Sequence, residues 1–126
     1  MSNPCPFCSA PNHRIVAENA LALVLRDLYP VSPGHTLIIP RRHVGSFFEL
    51  NGDERQAIFE LLARQKVALE QEFRPDSWNI GINDGPEAGQ TVPHCHLHLI
   101  PRYRGDVEDP RGGVRWVIRK LARYWP

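Results

Sequence analysis

The chain has no long apolar run. Its most hydrophobic stretches are short, such as Leu37-Ile38-Ile39, far below the roughly 20 residues that a membrane-spanning helix needs. It has no internal repeat and no low-complexity segment, which excludes solenoids and disordered linkers. Met1 to Cys5 shows no basic segment followed by an apolar one, so no secretory signal is expected and the predicted location is cytoplasmic. Excess charge is also missing. The net value is +1 with histidine neutral, so bulk charge does not call for nucleic acid as a partner. Cysteine is scarce, and three is an odd number for a disulfide framework. In a reducing compartment such cysteines read as thiols or metal ligands.

What remains is an ordinary globular balance, with 42% hydrophobic and 23% charged residues in 126. That length fits a single domain spanning residues 1–126, large enough to bury a core. Twelve prolines and nine glycines cut the chain into short elements. Arg14 to Asn19 and Leu21 to Arg26 read as two strands joined by a tight turn. Leu21 to Leu25 is apolar throughout, as in a strand covered on both faces. Pro33-Gly34 marks a turn, and His35 to Ile39 reads as a third strand.

The helix signal is clear. Asn51 is a good N-cap, and Glu54 completes a capping-box pattern. Ile58, Leu61, Leu62, Leu69 and Phe73 then recur at helical spacing until Pro75. Trp78 to Ile82 is a fourth strand, and His94 to Pro101 a fifth. A short helix is predicted near Trp116 to Tyr124. The expectation is an α+β fold: a mostly antiparallel five-stranded sheet with one long and one short helix. Residues 102–126 form a basic tail, with seven bases against three acids between Arg102 and Arg123. By itself such a tail is a solvated surface. Beside a phosphate-bearing substrate, Arg102, Arg104, Arg111 or Lys120 would meet distal phosphates.

The chemistry concentrates in His94-Cys95-His96-Leu97-His98. Strand alternation puts the three histidines on one face and Cys95, Leu97 and Leu99 on the other, toward the core. Three imidazoles in a row are poor packing material, because each ring carries nitrogens that need partners. The row suits a metal site or nucleophilic catalysis, and the spacing leaves the two even. The lead-in, Asp84 to Val92, contains Gly85 and Gly89, which let backbone amides approach a phosphate, and Gln90, a neutral donor. Cys5-Pro6-Phe7-Cys8 has the spacing of a zinc half-site. A redox motif would sit between a strand and a helix, which this one does not.

The stretch Gly85 to Arg102 resembles the histidine-triad superfamily. It is especially similar to the fragile-histidine-triad branch of dinucleoside polyphosphate hydrolases, which share the Gly89-Gln90-Thr91-Val92 lead-in. Pro33 to Pro40 resembles an earlier strand of that family. The resemblance implies that His96 attacks an α-phosphorus and forms a covalent nucleotidyl-histidine. It implies that His98 contacts the same phosphate, that His94 orients its neighbour, and that Gln90 binds the phosphate or the leaving oxygen. Asp27 stands where the superfamily holds the ribose hydroxyls, and Asn83 is a further nucleotide contact. His35 would support the triad from a neighbouring strand, whereas His13 reads as surface.

The resemblance also implies a structural zinc on Cys5, Cys8, His43 and His94, leaving Cys95 as a small apolar core residue. A divalent cation can accompany the substrate phosphates, which the sequence does not decide. Family members are usually homodimers, for which Trp116 and Trp125 are candidate interface residues. Four alternatives accompany this reading: a nucleotidyl transferase, a nucleoside phosphoramidate hydrolase (disfavoured by Gln90, where that branch has serine), a nucleotide-binding regulator with incidental turnover, and a zinc hydrolase using all three histidines as ligands.

Overall fold

The computed structural model describes residues 4–126. Its frame is β1 (Ile15–Glu18), β2 (Ala22–Arg26), β3 (Thr36–Pro40), α1 (Gly52–Phe73), β4 (Ser77–Ile82) and β5 (Leu97–Arg102). The strands form one sheet in the order β1-β2-β3-β5-β4, and every pair is antiparallel. The α+β expectation holds, and β5 lies inside the sheet between β3 and β4.

The apolar runs of β2 and β3 follow from burial on both faces. On one face Ala22, Val24, Ile38 and Leu97 pack with Ala57, Ile58 and Leu61 of α1. On the other, Leu23, Leu25, Leu37 and Ile39 are covered by Phe7, Ala10 and Ile15. Leu61 is fully buried, so Leu61→Ala costs about 2–5 kcal/mol through lost contact and a residual cavity. Cys95 also lies in the core on the helix side, where burial raises its thiol pKa to about 11.

The helix starts where its cap residues dictate. The Asn51 side chain accepts from the Glu54 amide at 2.8 Å, and the Glu54 carboxylate accepts from the Asn51 amide at 3.0 Å. Arg42 pairs with the same carboxylate at 2.8 Å. That bond, with the Asn51 amide, holds the Glu54 carboxyl below its ordinary range despite burial. At the other end Arg74 adopts a left-handed conformation just before Pro75. The turn into β3 requires Gly34. Its φ is +87°, and a Cβ there would meet Phe73 at 3.0 Å.

Two elements differ from expectation. The catalytic strand was expected from His94, but β5 begins at Leu97. The histidine run before it is held outside the sheet ladder: the His94 amide donates to the Val92 carbonyl at 2.8 Å and the Cys95 amide to the Val44 carbonyl at 2.7 Å. The short helix expected near Trp116 to Tyr124 takes the form of 3-10 turns over Gly113–Val117 and Arg119–Leu121. The Arg115 guanidinium holds this segment by donating to the Ala122 and Leu121 carbonyls at 2.9 and 2.7 Å. Among the described residues no helix is long and apolar enough to cross a membrane.

Candidate active site and metal centre

The register of β5 decides what the histidines face. Leu37 of β3 and Gly81 of β4 are the partners of His98. The histidine row therefore lies on the face away from α1, the face that Phe7 covers. Phe7 meets His96 and His94 edge-on, with ring centroids 5.0 and 5.7 Å apart. His94 and His96 are buried, and His98 is partly so.

Hydrogen-bond partners assign each ring a different job. A carbonyl oxygen can only accept, so a ring nitrogen facing one must carry the proton. His96 Nδ1 lies 2.8 Å from the His94 carbonyl oxygen and donates to it. The other nitrogen, Nε2, is left with its lone pair. His94 Nε2 lies 2.8 Å from the Pro40 carbonyl oxygen and donates there, leaving Nδ1 bare. The Val31 amide donates to His35 Nδ1 at 3.1 Å, so His35 carries its proton on Nε2. His35 Nε2 is 2.9 Å from His98 Nδ1, which must accept; His98 then presents Nε2–H. Asp27 lies 3.4 Å from the same His35 nitrogen. Burial lowers the His35 pKa, against the pull of Asp27. Burial, with His96 and His35 nearby, lowers the His98 pKa to about 4. Two adjacent imidazoles of opposite character result: one exposes an acceptor, the other a donor.

The bare Nδ1 of His94 points into a cluster. It is 3.5 Å from Cys5 Sγ, 3.4 Å from Cys8 Sγ and 3.1 Å from His43 Nδ1. Cys8 Sγ is 3.2 Å from His43 Nδ1. All four ligand atoms lie within 4.8 Å of one another. Tetrahedral coordination by two thiolates and two imidazoles puts ligand atoms roughly 3.3–3.8 Å apart, so this set fits a metal ion. Burial keeps the His94 pKa low, which favours the neutral, ligating form. The triad does not converge on one ion, because its Nδ1 atoms turn to the cysteine pair, to a carbonyl and to His35 respectively.

The lead-in loop satisfies most of its own hydrogen bonds. Gly85 and Gly89 do take positive φ, +99° and +96°. The amides of Ala88, Gly89 and Gln90, however, donate within the loop, to the Gly85 and Pro86 carbonyls. They are turned inward, not offered to a phosphate. Gln90 is a brace. Its side-chain oxygen accepts from the Gly85 amide at 2.8 Å, and its amino group donates to the Gly45 and Val92 carbonyls at 2.9 and 3.0 Å. Asp84 anchors the same loop by accepting from Ser46 Oγ and the Phe47 amide. Asn83 faces a cavity of about 710 Å³ that also borders His98 and His35.

The tail is likewise less available than its charge count suggests. Arg102 donates to both Asp106 carboxylate oxygens and to Asn79, and Arg111 pairs with Asp109. Asp27 stays partly exposed beside His35, with one carboxylate oxygen accepting from the Tyr29 amide at 2.8 Å. His13 is exposed. Sequence reasoning did not assign Phe7. Its position between the two cysteines was the available signal, since whatever holds that loop also sets its ring against His96.

Residues 10–105 match the family model described as the HIT domain. The chain is 39% identical over 96 residues to the asymmetrical bis(5'-nucleosyl)-tetraphosphatase of Schizosaccharomyces pombe, covering 76% of this chain and 53% of that protein. It is 43% identical over 90 residues to a bifunctional bis(5'-adenosyl)-triphosphatase/adenylylsulfatase of Arabidopsis thaliana, covering 70% and 49%. The chain thus spans about half the length of these two enzymes. A crystal structure of a HIT family protein from Bacillus anthracis superposes with a TM-score of 0.76 at 36% identity, covering 84% of this chain and 78% of that one.

Proposed function

This chain belongs to the HIT domain family, and on that premise we propose that it hydrolyses a phosphoanhydride bond at the α-phosphate of a dinucleoside polyphosphate. The observation that carries the reading is the assignment of protons on the triad. His96 donates from Nδ1 to the His94 carbonyl, so in the neutral ring it is Nε2 that carries the attacking lone pair. A neutral imidazole meets no charge repulsion from the phosphate oxygens.

In the first step the Nε2 lone pair forms a bond to the α-phosphorus. The bond from phosphorus to the bridging oxygen breaks, and its electron pair leaves with the distal nucleotide. The ring becomes cationic, and the Nδ1–H bond to the His94 carbonyl stabilises that charge. His98, oriented by His35, donates Nε2–H to a phosphate oxygen as charge builds there. In the second step water attacks the phosphorus, the phosphorus–nitrogen bond breaks, and His96 recovers its lone pair. The water's protons go to the products and solvent. Asp27 holds the ribose hydroxyls with the capacity left on its partly exposed carboxylate. Asn83 contacts the phosphates, and a divalent cation can accompany them. Gln90 braces the loop beside the phosphate.

The metal on Cys5, Cys8, His43 and His94 is a structural zinc in this reading. The two thiolates and two imidazoles are the donor set that zinc prefers. It would fix the Phe7 loop and lock His94, whose carbonyl orients the nucleophile. The reading extends to a homodimer. β4 is a sheet edge, and its Ile80 is half exposed, which suits pairing with a second copy.

Incubation with diadenosine tetraphosphate tests the assignment. Attack at the α-phosphorus yields AMP and ATP. Two molecules of ADP would mean a different register. A nucleotidyl transferase would form a phosphate adduct of AMP when phosphate is supplied as acceptor.

A further inference from the structure

The histidine row continues along β5 as Ile100 and Arg102, on the same face of the sheet. Its His94–His96 end is closed by Phe7. Its other end opens into the cavity of about 710 Å³, within the roughly 300–1,000 Å³ typical of small-molecule sites. His98, Ser32 and Asn83 line the inner end of this space. Ile100, Val107, Val114, Trp116 and Val117 make much of the remaining wall. The C-terminal segment supplies four of these five, and its 3-10 turns fold it against β4.

We propose that this cavity is the subsite for the second nucleoside of the substrate, the one that departs with the leaving group. The proposal rests on the reading of His96 as nucleophile at an α-phosphorus. With one end of the row sealed by Phe7, a leaving group on the side away from His96 is directed past His98 into the cavity. The charge of the wall selects what fits. Arg102 is the cation lining it among the described residues, and Asp106 and Asn79 occupy its guanidinium. Asp106 and Asp109 line the same space, and Asp109 is matched by Arg111. The distant part of the cavity therefore offers no unmatched positive charge to a phosphate. It offers apolar surface and an indole, which suits a nucleobase, a flat ring with polar edges. The phosphates stay at the inner end, near His98 and Asn83.

The test compares two ligands with equal numbers of phosphates: diadenosine triphosphate, which has the second nucleoside, and ATP, which lacks it. Binding is measured by calorimetry on the full chain carrying His96→Asn, so that chemistry does not intervene. Diadenosine triphosphate should bind about tenfold tighter or more, the effect of one stacked base. Adding Trp116→Ala should bring the ratio close to one. Val114→Glu, at an exposed position of the same wall, should do the same without removing an aromatic ring. A ratio near one before either change would overturn the proposal. So would a large ratio that survives both changes while circular dichroism shows the fold intact. Failure of the underlying reading has another signature: the unaltered protein then cleaves neither ligand, whatever the binding ratio is.

Discussion

His96 donates through Nδ1 to the carbonyl oxygen of His94, 2.8 Å away, and that bond joins the proposed nucleophile to the four-residue cluster that could hold a metal. His94 has one bare nitrogen in the cysteine cluster and one proton on the Pro40 carbonyl, so it has little freedom to turn. Its backbone carbonyl is held accordingly. In the proposed reading, two of the three histidines do the chemistry and His94 supports them.

If that support is a zinc ion, protein purified without chelator contains about one zinc per chain by elemental analysis. Cys5→Ser and Cys8→Ser should each lose the metal and lower the melting temperature by about 5 °C or more. Zinc well below one per chain in the unaltered protein would dismiss the assignment.

Phe7 should matter for rate more than for metal. Phe7→Ala removes the ring packed 5.0 Å from His96, and looser positioning of the nucleophile should lower kcat about tenfold. Zinc content should not change. A normal kcat would show that the His94 carbonyl alone is sufficient.

His35 acts on His98 through one proton. His35→Ala deletes the donor that faces His98 Nδ1 and lets that ring take the wrong tautomer. A fall in kcat of roughly 10–100-fold is expected, with KM moved much less. His35→Gln, which keeps an amide donor, should recover part of the loss. An unchanged kcat in both variants would remove the relay from the account.

Acid should weaken the fold through the same pair. The folded state lowers the His98 pKa from its ordinary 6.5 to about 4 and also lowers that of His35. Between those values the unfolded chain binds more protons. The contribution is therefore fully present above the ordinary value and is lost as pH falls from about 6.5 toward 4, by of order 1–3 kcal/mol for His98. Urea midpoints near pH 7.5 and pH 5 should fall with acid in the unaltered protein and fall less in His98→Asn. Equal acid sensitivity in the two would contradict this.

Much of this was legible in the sequence because it rests on local signals. The capping box at Asn51 and Glu54, the apolar runs of β2 and β3, and the spacing of Cys5 and Cys8 each carry their physical reason in a few residues. What was not legible depends on distant partners. The start of β5 moved to Leu97 because Val44, some fifty positions upstream, takes the Cys95 amide. The bonds from the Gln90 amino group to the Gly45 and Val92 carbonyls were not legible either. The charge count of the basic tail does not show that two of its four candidate phosphate contacts, Arg102 and Arg111, are matched with Asp106 and Asp109. A charge count does not reveal pairing.

The central claim is that His96 Nε2 attacks the α-phosphorus. The most direct measurement is to quench the protein with diadenosine tetraphosphate during turnover, under alkaline conditions that preserve phosphoramidates, and to map the adduct by peptide mass spectrometry. The account predicts an adenylyl group on His96, absent from His96→Asn, which is folded but inactive. An adduct on His94 or His98, or undiminished turnover by His96→Asn, would contradict it.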